Sequence, residues 1–167
     1  MNKTKILNAL QISQKLDRMA YQVYETNFAE KELLVVGIEG NGFKVAGEIA
    51  KRLKKISHLK IMLGKIKLDK NEPWKEDARY DFSDKDYVNK SVLVVDDVLN
   101  SGKTLMHAIK IFLNKPVKRL NTLVLVDRSH IRYPVKADFV GLSLNTTLQD
   151  HIEANFSTKG KETVYLN

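Results

Sequence analysis

Apolar and polar positions follow two rhythms along the chain. Ile12, Leu16, Met19, Ala20 and Val23 fall at i, i+4, i+7, i+8 and i+11, the spacing of one helix face, so an amphipathic helix is predicted over Ile12–Val23. Leu33-Leu34-Val35-Val36-Gly37-Ile38 is instead a short continuous apolar run ending in Glu39-Gly40-Asn41-Gly42, which predicts a buried strand feeding a glycine turn. Helical spacing returns with Ala46, Ile49, Ala50 and Leu53, and a second strand is predicted between Leu59 and Leu68. Ser91-Val92-Leu93-Val94-Val95 predicts a third strand, followed by a polar turn and a helix whose Leu105, Ala108, Ile109, Phe112 and Leu113 share a face. Pro116 closes that helix, and Leu123–Val126 and Phe139–Leu142 predict two more strands. Strands this uniformly apolar, alternating with helices, predict an α/β fold with a parallel sheet covered on both faces. Functional residues are then expected just beyond the carboxyl ends of the strands, where strand order reverses.

Residues Asp69 to Lys90 form a polar stretch too long for an ordinary connection, either a lid or a partly disordered excursion. Arg79 and Tyr80 are its candidates for reaching inward. Ser157 to Lys161 reads as a loose tail segment. At 167 residues, with no repeat or interdomain linker, residues 1–167 are expected to be one domain. The absence of cysteine excludes a disulfide frame and thiolate catalysis. Met1-Asn2-Lys3-Thr4-Lys5-Ile6 does not open an apolar leader, and no apolar run approaches the roughly 18 to 20 residues of a membrane span, so a cytoplasmic protein with no membrane partner is expected.

The formal net charge of +8 is unevenly placed: Lys44, Lys51, Arg52, Lys54, Lys55, Lys60, Lys65 and Lys67 face only Glu48 within their stretch. Such a field attracts nucleic acid and equally a small substrate carrying several phosphates, while many lysine clusters are simply solvated helix faces. Charge alone does not choose.

Chemistry narrows the choice. Asp96 and Asp97 end an apolar strand and precede Asn100-Ser101-Gly102-Lys103-Thr104 at the entrance to a helix. Backbone amides of a small-residue turn, the open N–H groups of a first helical turn and the Ser101 and Thr104 hydroxyls can wrap a phosphate. Carboxylates grip phosphate poorly but accept hydrogen bonds from vicinal hydroxyls, so a sugar phosphate satisfies both halves. The nucleotide-binding P-loop would need a glycine where Asp97 stands, which argues against an NTPase. Gly37, Gly40 and Gly42 do not match the dinucleotide fingerprint either; a tight turn and a binding role remain equal readings of them.

The run Val92 to Thr104 resembles the phosphoribosyl pyrophosphate signature of type I phosphoribosyltransferases. Val126-Asp127-Arg128-Ser129-His130, with Tyr133-Pro134-Val135-Lys136-Ala137-Asp138-Phe139-Val140-Gly141, is similar to one branch, the bacterial pyrimidine-operon attenuator with uracil phosphoribosyltransferase activity. The resemblance runs from about Leu10 to Leu144 and implies a parallel sheet flanked by helices with a small hood. It implies that Asp96 and Asp97 hold the ribose hydroxyls, that Asn100, Ser101, Gly102, Lys103 and Thr104 hold the 5′-phosphate, and that Gly40, Asn41 and Gly42 form the pyrophosphate loop. Asp127 and Arg128 would line the base pocket, with Asn145, Thr146 and Thr147 near the hood. Magnesium would travel on the substrate's own oxygens and waters, with no dedicated protein metal site. A homo-oligomer is the expected assembly.

Two departures from that branch stand out. Asn41 occupies the place of its arginine, with Glu39 close by, and the lid is shorter and leans acidic. The leading expectation is transfer of ribose 5-phosphate from phosphoribosyl pyrophosphate to a pyrimidine, with uracil expected because Asp127 stands where purine enzymes carry a lysine. Asp127 has a second reading, pairing with Arg128 or capping the following turn. His107 is expected on an exposed helix flank, and His130 near the base-site strand. Two alternatives stand beside the leading one: an RNA-binding pyrimidine regulator using phosphoribosyl pyrophosphate or nucleotide as effector through the Lys51-Arg52-Leu53-Lys54-Lys55 face, and transfer to a purine.

Overall fold

The uniformly apolar runs of the sequence become the centre of a six-stranded sheet. The computed structural model describes residues 3–147 and 149–167; Met1 and Asn2, part of the stretch expected not to be a leader, lie outside the described residues. Strand β1 (Thr4–Leu7) leads into α1 (Ala9–Thr26), which starts where Asn8 and Gln11 form a reciprocal capping box. There follow β2 (Glu32–Ile38), α2 (Asn41–Ile56), β3 (Lys60–Lys67), the short β4 (Arg79–Tyr80) and a one-turn α3 (Asp84–Tyr87). The second half runs β5 (Ser91–Leu99), α4 (Lys103–Lys110), a 3-10 turn (Ile111–Asn114), β6 (Arg119–Asp127), β7 (Phe139–Ser143), β8 (Ile152–Asn155) and β9 (Thr163–Leu166).

Strand order in the large sheet is β4-β3-β2-β5-β6-β7. All neighbours are parallel except β4, which pairs antiparallel with the edge of β3, so the sheet is mixed rather than wholly parallel. Order reverses between β2 and β5, and the two glycine-bearing turns after those strands therefore open into the same crevice. Val35, Val36, Val94 and Val95 are fully buried between two apolar layers. Side chains of this size each contribute about 1.5–3 kcal/mol relative to exposure. One layer is formed with α1 and α2, whose Ile12, Leu16, Met19, Ala20, Val23, Ala46, Ile49, Ala50 and Leu53 are buried as their spacing predicts; the other is formed with α4.

Several expectations change. Strand β5 continues through the two acids to Leu99, with Asp96 opposite Val124 and Leu99 opposite Asp127, because β6 is long enough to pair with it. Leu113 is 66% exposed. The helix tightens to 3-10 geometry at Ile111, and the larger rotation per residue keeps Phe112 inside while turning Leu113 out. Ser157 to Lys161 is not a tail; it joins β8 and β9. In a separate antiparallel sheet β9 pairs with β1 on one side and β8 on the other, order β1-β9-β8, which is the hood. Residues 69–90 carry β4 and α3, with Phe82 and Tyr87 buried against Phe112.

Candidate functional site

Strand β5 carries Asp96 and Asp97 to the carboxyl end of the sheet, beside the order reversal. Asp96 is 4% exposed, and its Oδ1 accepts from the backbone N–H of Asp97 (2.9 Å). Burial, and then the charge of Asp97, push the Asp96 carboxyl up to about 8, opposed by the ammonium of Lys70 at 3.6 Å. Asp97 is only half-buried. Helix α2 begins against this pair: Gly40 has φ 97° and Gly42 is buried beside Asp96. Gly40, Asn41 and Gly42 are thus brought to the acids. The amide of Asn41 is turned away, however, donating to the Ala154 carbonyl of the hood (2.8 Å). Lys44 likewise reaches the Phe156 carbonyl (3.3 Å), and Glu39 faces Lys67 at 3.6 Å.

The turn Asn100–Thr104 lines a hollow of about 180 Å³ together with Asp96, Val98, Leu99, Leu105 and Val124. Gly102 caps α4 with φ 86°, a left-handed conformation, and has no side chain to cap the helix; of the first N–H groups, that of Lys103 donates to Ser101 Oγ at 3.3 Å. Those groups, with the hydroxyls of Ser101 and Thr104, present donors to an anion. The far wall is the segment after β6: Arg132 and Tyr133 donate their backbone N–H to the Ser101 carbonyl at 2.9 and 3.1 Å. A β-carbon at Gly102 would stand 2.6 Å from Cγ1 of Val135.

Asp127 and Arg128 arrive beside this turn at the end of β6, but both are already engaged. Asp127 Oδ1 accepts from the Ser129 N–H (2.8 Å), capping the next turn. Arg128 is 6% exposed and spends its donors on the protein. Nη1 donates to Asn100 Oδ1 (2.9 Å), Nε to Thr146 Oγ1 (3.1 Å), and Nη2 to the carbonyls of Thr147 (3.2 Å) and Asp150 (2.6 Å). It ties the phosphate-type turn to the hood loop. His130 Nε2 joins the same loop at the Thr146 carbonyl. His107 is half-buried, bonded to the Lys103 carbonyl and edge-on to Tyr133, rather than on an open flank.

The lid covers the turn through residues the sequence did not single out. Lys103 Nζ donates to the Asn71 carbonyl (2.6 Å) and lies 5.3 Å from the centre of the Trp74 ring, while Lys70 stands at Asp96. Arg79 and Tyr80 do not reach in: Arg79 faces Glu76 at 3.9 Å, and Tyr80 stacks on Phe82 with centroids 4.7 Å apart. A lysine between Asp69 and Asn71 carries no periodic signal, so only the neighbouring tryptophan in a polar stretch could have marked this region. The basic face also differs from its linear reading. Arg52 bonds Asp17 (2.6 Å), Glu48 (2.7 Å) and Ser13 (3.0 Å) and so bridges α1 and α2, whereas Lys54 and Lys55 are exposed. Among the described residues no group of three or more His, Asp or Glu side chains is placed to hold a metal ion, and no helix is long and apolar enough to cross a membrane.

The model of the phosphoribosyl transferase domain family matches residues 2–163. The "Bifunctional protein PyrR" of Ligilactobacillus salivarius is 32% identical over 161 residues, covering 89% of this chain and 88% of the relative. The "Pyrimidine operon regulatory protein" of Lactococcus lactis is 31% identical over 163 residues, covering 94% and 92%. Among solved structures, the hypoxanthine phosphoribosyltransferase of Trypanosoma cruzi superposes with a TM-score of 0.78 over 98% of this chain and 95% of its own, at 13% identity, a likeness of fold alone. Matched over nearly its whole length, the chain belongs to the type I phosphoribosyltransferase family.

Proposed function

We propose that this chain is an RNA-binding pyrimidine regulator that takes phosphoribosyl pyrophosphate, or a nucleotide made from it, as its effector. One contrast carries the reading. The residues proposed for the sugar phosphate, Asp96, Asp97 and the turn Asn100–Thr104, stand together, while in the turn proposed for pyrophosphate the neutral Asn41 gives its amide to the hood. Such a site holds a ribose phosphate well and stabilises a departing pyrophosphate poorly. The names of the relatives, a bifunctional protein and an operon regulatory protein, support the same class.

In this reading the ribose hydroxyls donate to Asp97 and Asp96, and the 5′-phosphate accepts from the N–H groups and hydroxyls of residues 101–104. Arg128 acts indirectly, keeping Asn100 and the hood loop in register. The donor set suits magnesium as a companion of the substrate rather than a resident ion, since the acids here are a single adjacent pair, one of them buried. The ion would be carried beside Asp96 and Asp97 by the ligand's own oxygens, and it would supply neutralising charge to the pyrophosphate. Residues 1–167 would act as one domain, within a homo-oligomer.

The surface proposed for RNA is the groove of about 490 Å³ between α1 and α2, where Tyr21, Lys51, Lys55 and Lys159 combine an exposed ring with cations. Arg52 in its floor already neutralises Asp17 and Glu48. Aromatic rings among lysines suit single-stranded RNA, through stacking and counterion release.

Transfer of ribose 5-phosphate to uracil is the second reading, and the intact sugar-phosphate half favours it. Bond cleavage at the anomeric carbon would leave positive charge on the sugar beside the acids, so orientation and electrostatics would carry the rate. With Asp127 Oδ1 taken by the turn, base choice would fall more to backbone groups near Asn145 to Thr147. Calorimetric titration with magnesium phosphoribosyl pyrophosphate, followed by turnover with uracil, hypoxanthine and guanine, separates the readings. Binding with negligible turnover supports the regulator, and brisk uracil turnover supports the enzyme. Absence of binding would remove both.

A further inference from the structure

Three lysines flank the first glycine turn, and each is already engaged. Strands β2 and β3 stay in register to Ile38 opposite Ile66, and the Glu39 N–H then donates to the Ile66 carbonyl (2.7 Å), which fixes Glu39 immediately before Gly40. Side chains two apart on a strand share a face, so Lys65 and Lys67 of β3 both stand beside the start of α2. Lys65 Nζ lies 5.3 Å from the centre of the Phe43 ring, and Lys67 Nζ lies 3.6 Å from Glu39 Oε2. Lys44, like Asn41, gives its donor to a hood carbonyl. The turn thus presents a carboxylate whose facing lysine is taken. A diphosphate arriving there can recruit Lys67 only by drawing it from Glu39, which leaves that carboxylate bare beside the ligand's own negative charge.

Resting on the phosphoribosyl site proposed above, we propose that Glu39 is a specificity-determining residue that turns the site away from ligands bearing a diphosphate on the anomeric carbon. A hydroxyl or a base at that carbon brings no charge to the turn, so ribose 5-phosphate and nucleoside 5′-monophosphates escape the penalty. The nucleotide is then the favoured one of the two effectors. Attraction within the Lys67–Glu39 pair is itself small, because the side chains are 61% and 43% exposed. The discrimination comes instead from the charge that remains when the lysine is withdrawn, and it shrinks as salt screens that charge. Magnesium carried by the diphosphate offsets part of the repulsion in every variant alike.

Calorimetric titrations of the whole chain with magnesium phosphoribosyl pyrophosphate and with ribose 5-phosphate give the ratio of the two affinities. Glu39→Gln should tighten phosphoribosyl pyrophosphate about tenfold, or about 1.4 kcal/mol, and leave ribose 5-phosphate within about twofold. The gain should shrink in high salt. Adding Lys67→Met to Glu39→Gln should abolish it, because the freed lysine supplies it. Glu39→Ala, which removes the carboxylate without adding an amide, should move the ratio in the same direction, and melting curves control for folding. An unchanged ratio in both Glu39 variants, with ribose 5-phosphate still bound, would overturn the assignment. So would a gain shared equally by ribose 5-phosphate. Absence of ribose 5-phosphate binding in every variant would instead overturn the phosphoribosyl site, and this specificity with it.

Discussion

A β-carbon added to Gly42 would stand 2.7 Å from Oδ1 of Asp96 and 3.1 Å from its α-carbon. The helix that follows the first glycine turn therefore rests directly on the buried acid of the neighbouring strand. Gly42→Ala is expected to cost about 1–3 kcal/mol by overpacking and to turn Asp96 out of place. Denaturant unfolding should report the first effect and ribose 5-phosphate calorimetry the second. Wild-type stability together with wild-type affinity would show that this contact does not position the acid.

Arg128 binds Asn100 on one side and Thr146, Thr147 and Asp150 on the other. Arg128→Met keeps much of the bulk but leaves these part-buried acceptors without their donor, at about 1–3 kcal/mol for each that water cannot reach. The expected result is a lower melting temperature and faster amide exchange in residues 144–151, with the central strands still protected. Unchanged exchange in that loop would assign the coupling to other contacts.

The large sheet was legible because its central strands are buried on both faces and so read as unbroken apolar runs: Leu33–Ile38 and Ser91–Val95 need no partner information to be recognised. The hood was not. Its strands are four residues long and come from opposite ends of the chain, with Thr4 opposite Leu166, so no local window contains the pairing that makes them strands. Site residues divide in the same way. Asp96, Asp97 and Gly102 sit in one continuous segment and could be found together, whereas the partners of Arg52 and Asn41 lie 35 and 113 residues away. Linear spacing placed Arg52 among free cations, and only the packing of α1 on α2 brings Asp17 to it.

Asp96 gives stability a pH dependence of definite sign. Unfolded, such a carboxyl ionises near 3.8; folded, it holds its proton to about 8. Between those values the folded chain binds a proton that the unfolded chain does not, so this group's contribution is complete below pH 3.8 and is lost as pH rises toward 8. Asp96→Asn should flatten that fall and be more stable than the wild type at pH 8. It should also bind ribose 5-phosphate more weakly above pH 8, where the carboxyl is ionised and its hydrogen bonds are charge-assisted, worth about 1.5–3 kcal/mol each. Parallel melting curves from pH 4 to 9 in both proteins check the sign, and a wild type that gains stability relative to Asp96→Asn over this interval would refute it.

Charge reversal on α2 should separate structure from binding. Arg52→Glu breaks the bonds to Asp17, Glu48 and Ser13 and should lower the melting temperature. Lys54→Glu and Lys55→Glu lie on exposed positions and should change stability by no more than about 0.5 kcal/mol. If all three variants melt alike, the Arg52 bridge between the helices contributes nothing measurable.

Leader RNA transcribed from pyrimidine genes, titrated in filter-binding or fluorescence-anisotropy experiments, addresses effector-controlled RNA binding most directly. Binding should weaken steeply as salt rises, should weaken further in the Lys51→Glu and Lys55→Glu variants, and should shift when phosphoribosyl pyrophosphate or a uridine nucleotide is added. Asp97→Asn should keep the RNA affinity and lose the effector's influence on it. RNA affinity that is absent, or that is indifferent to both salt and effector in a protein that binds phosphoribosyl pyrophosphate, would contradict the regulator and leave the transferase.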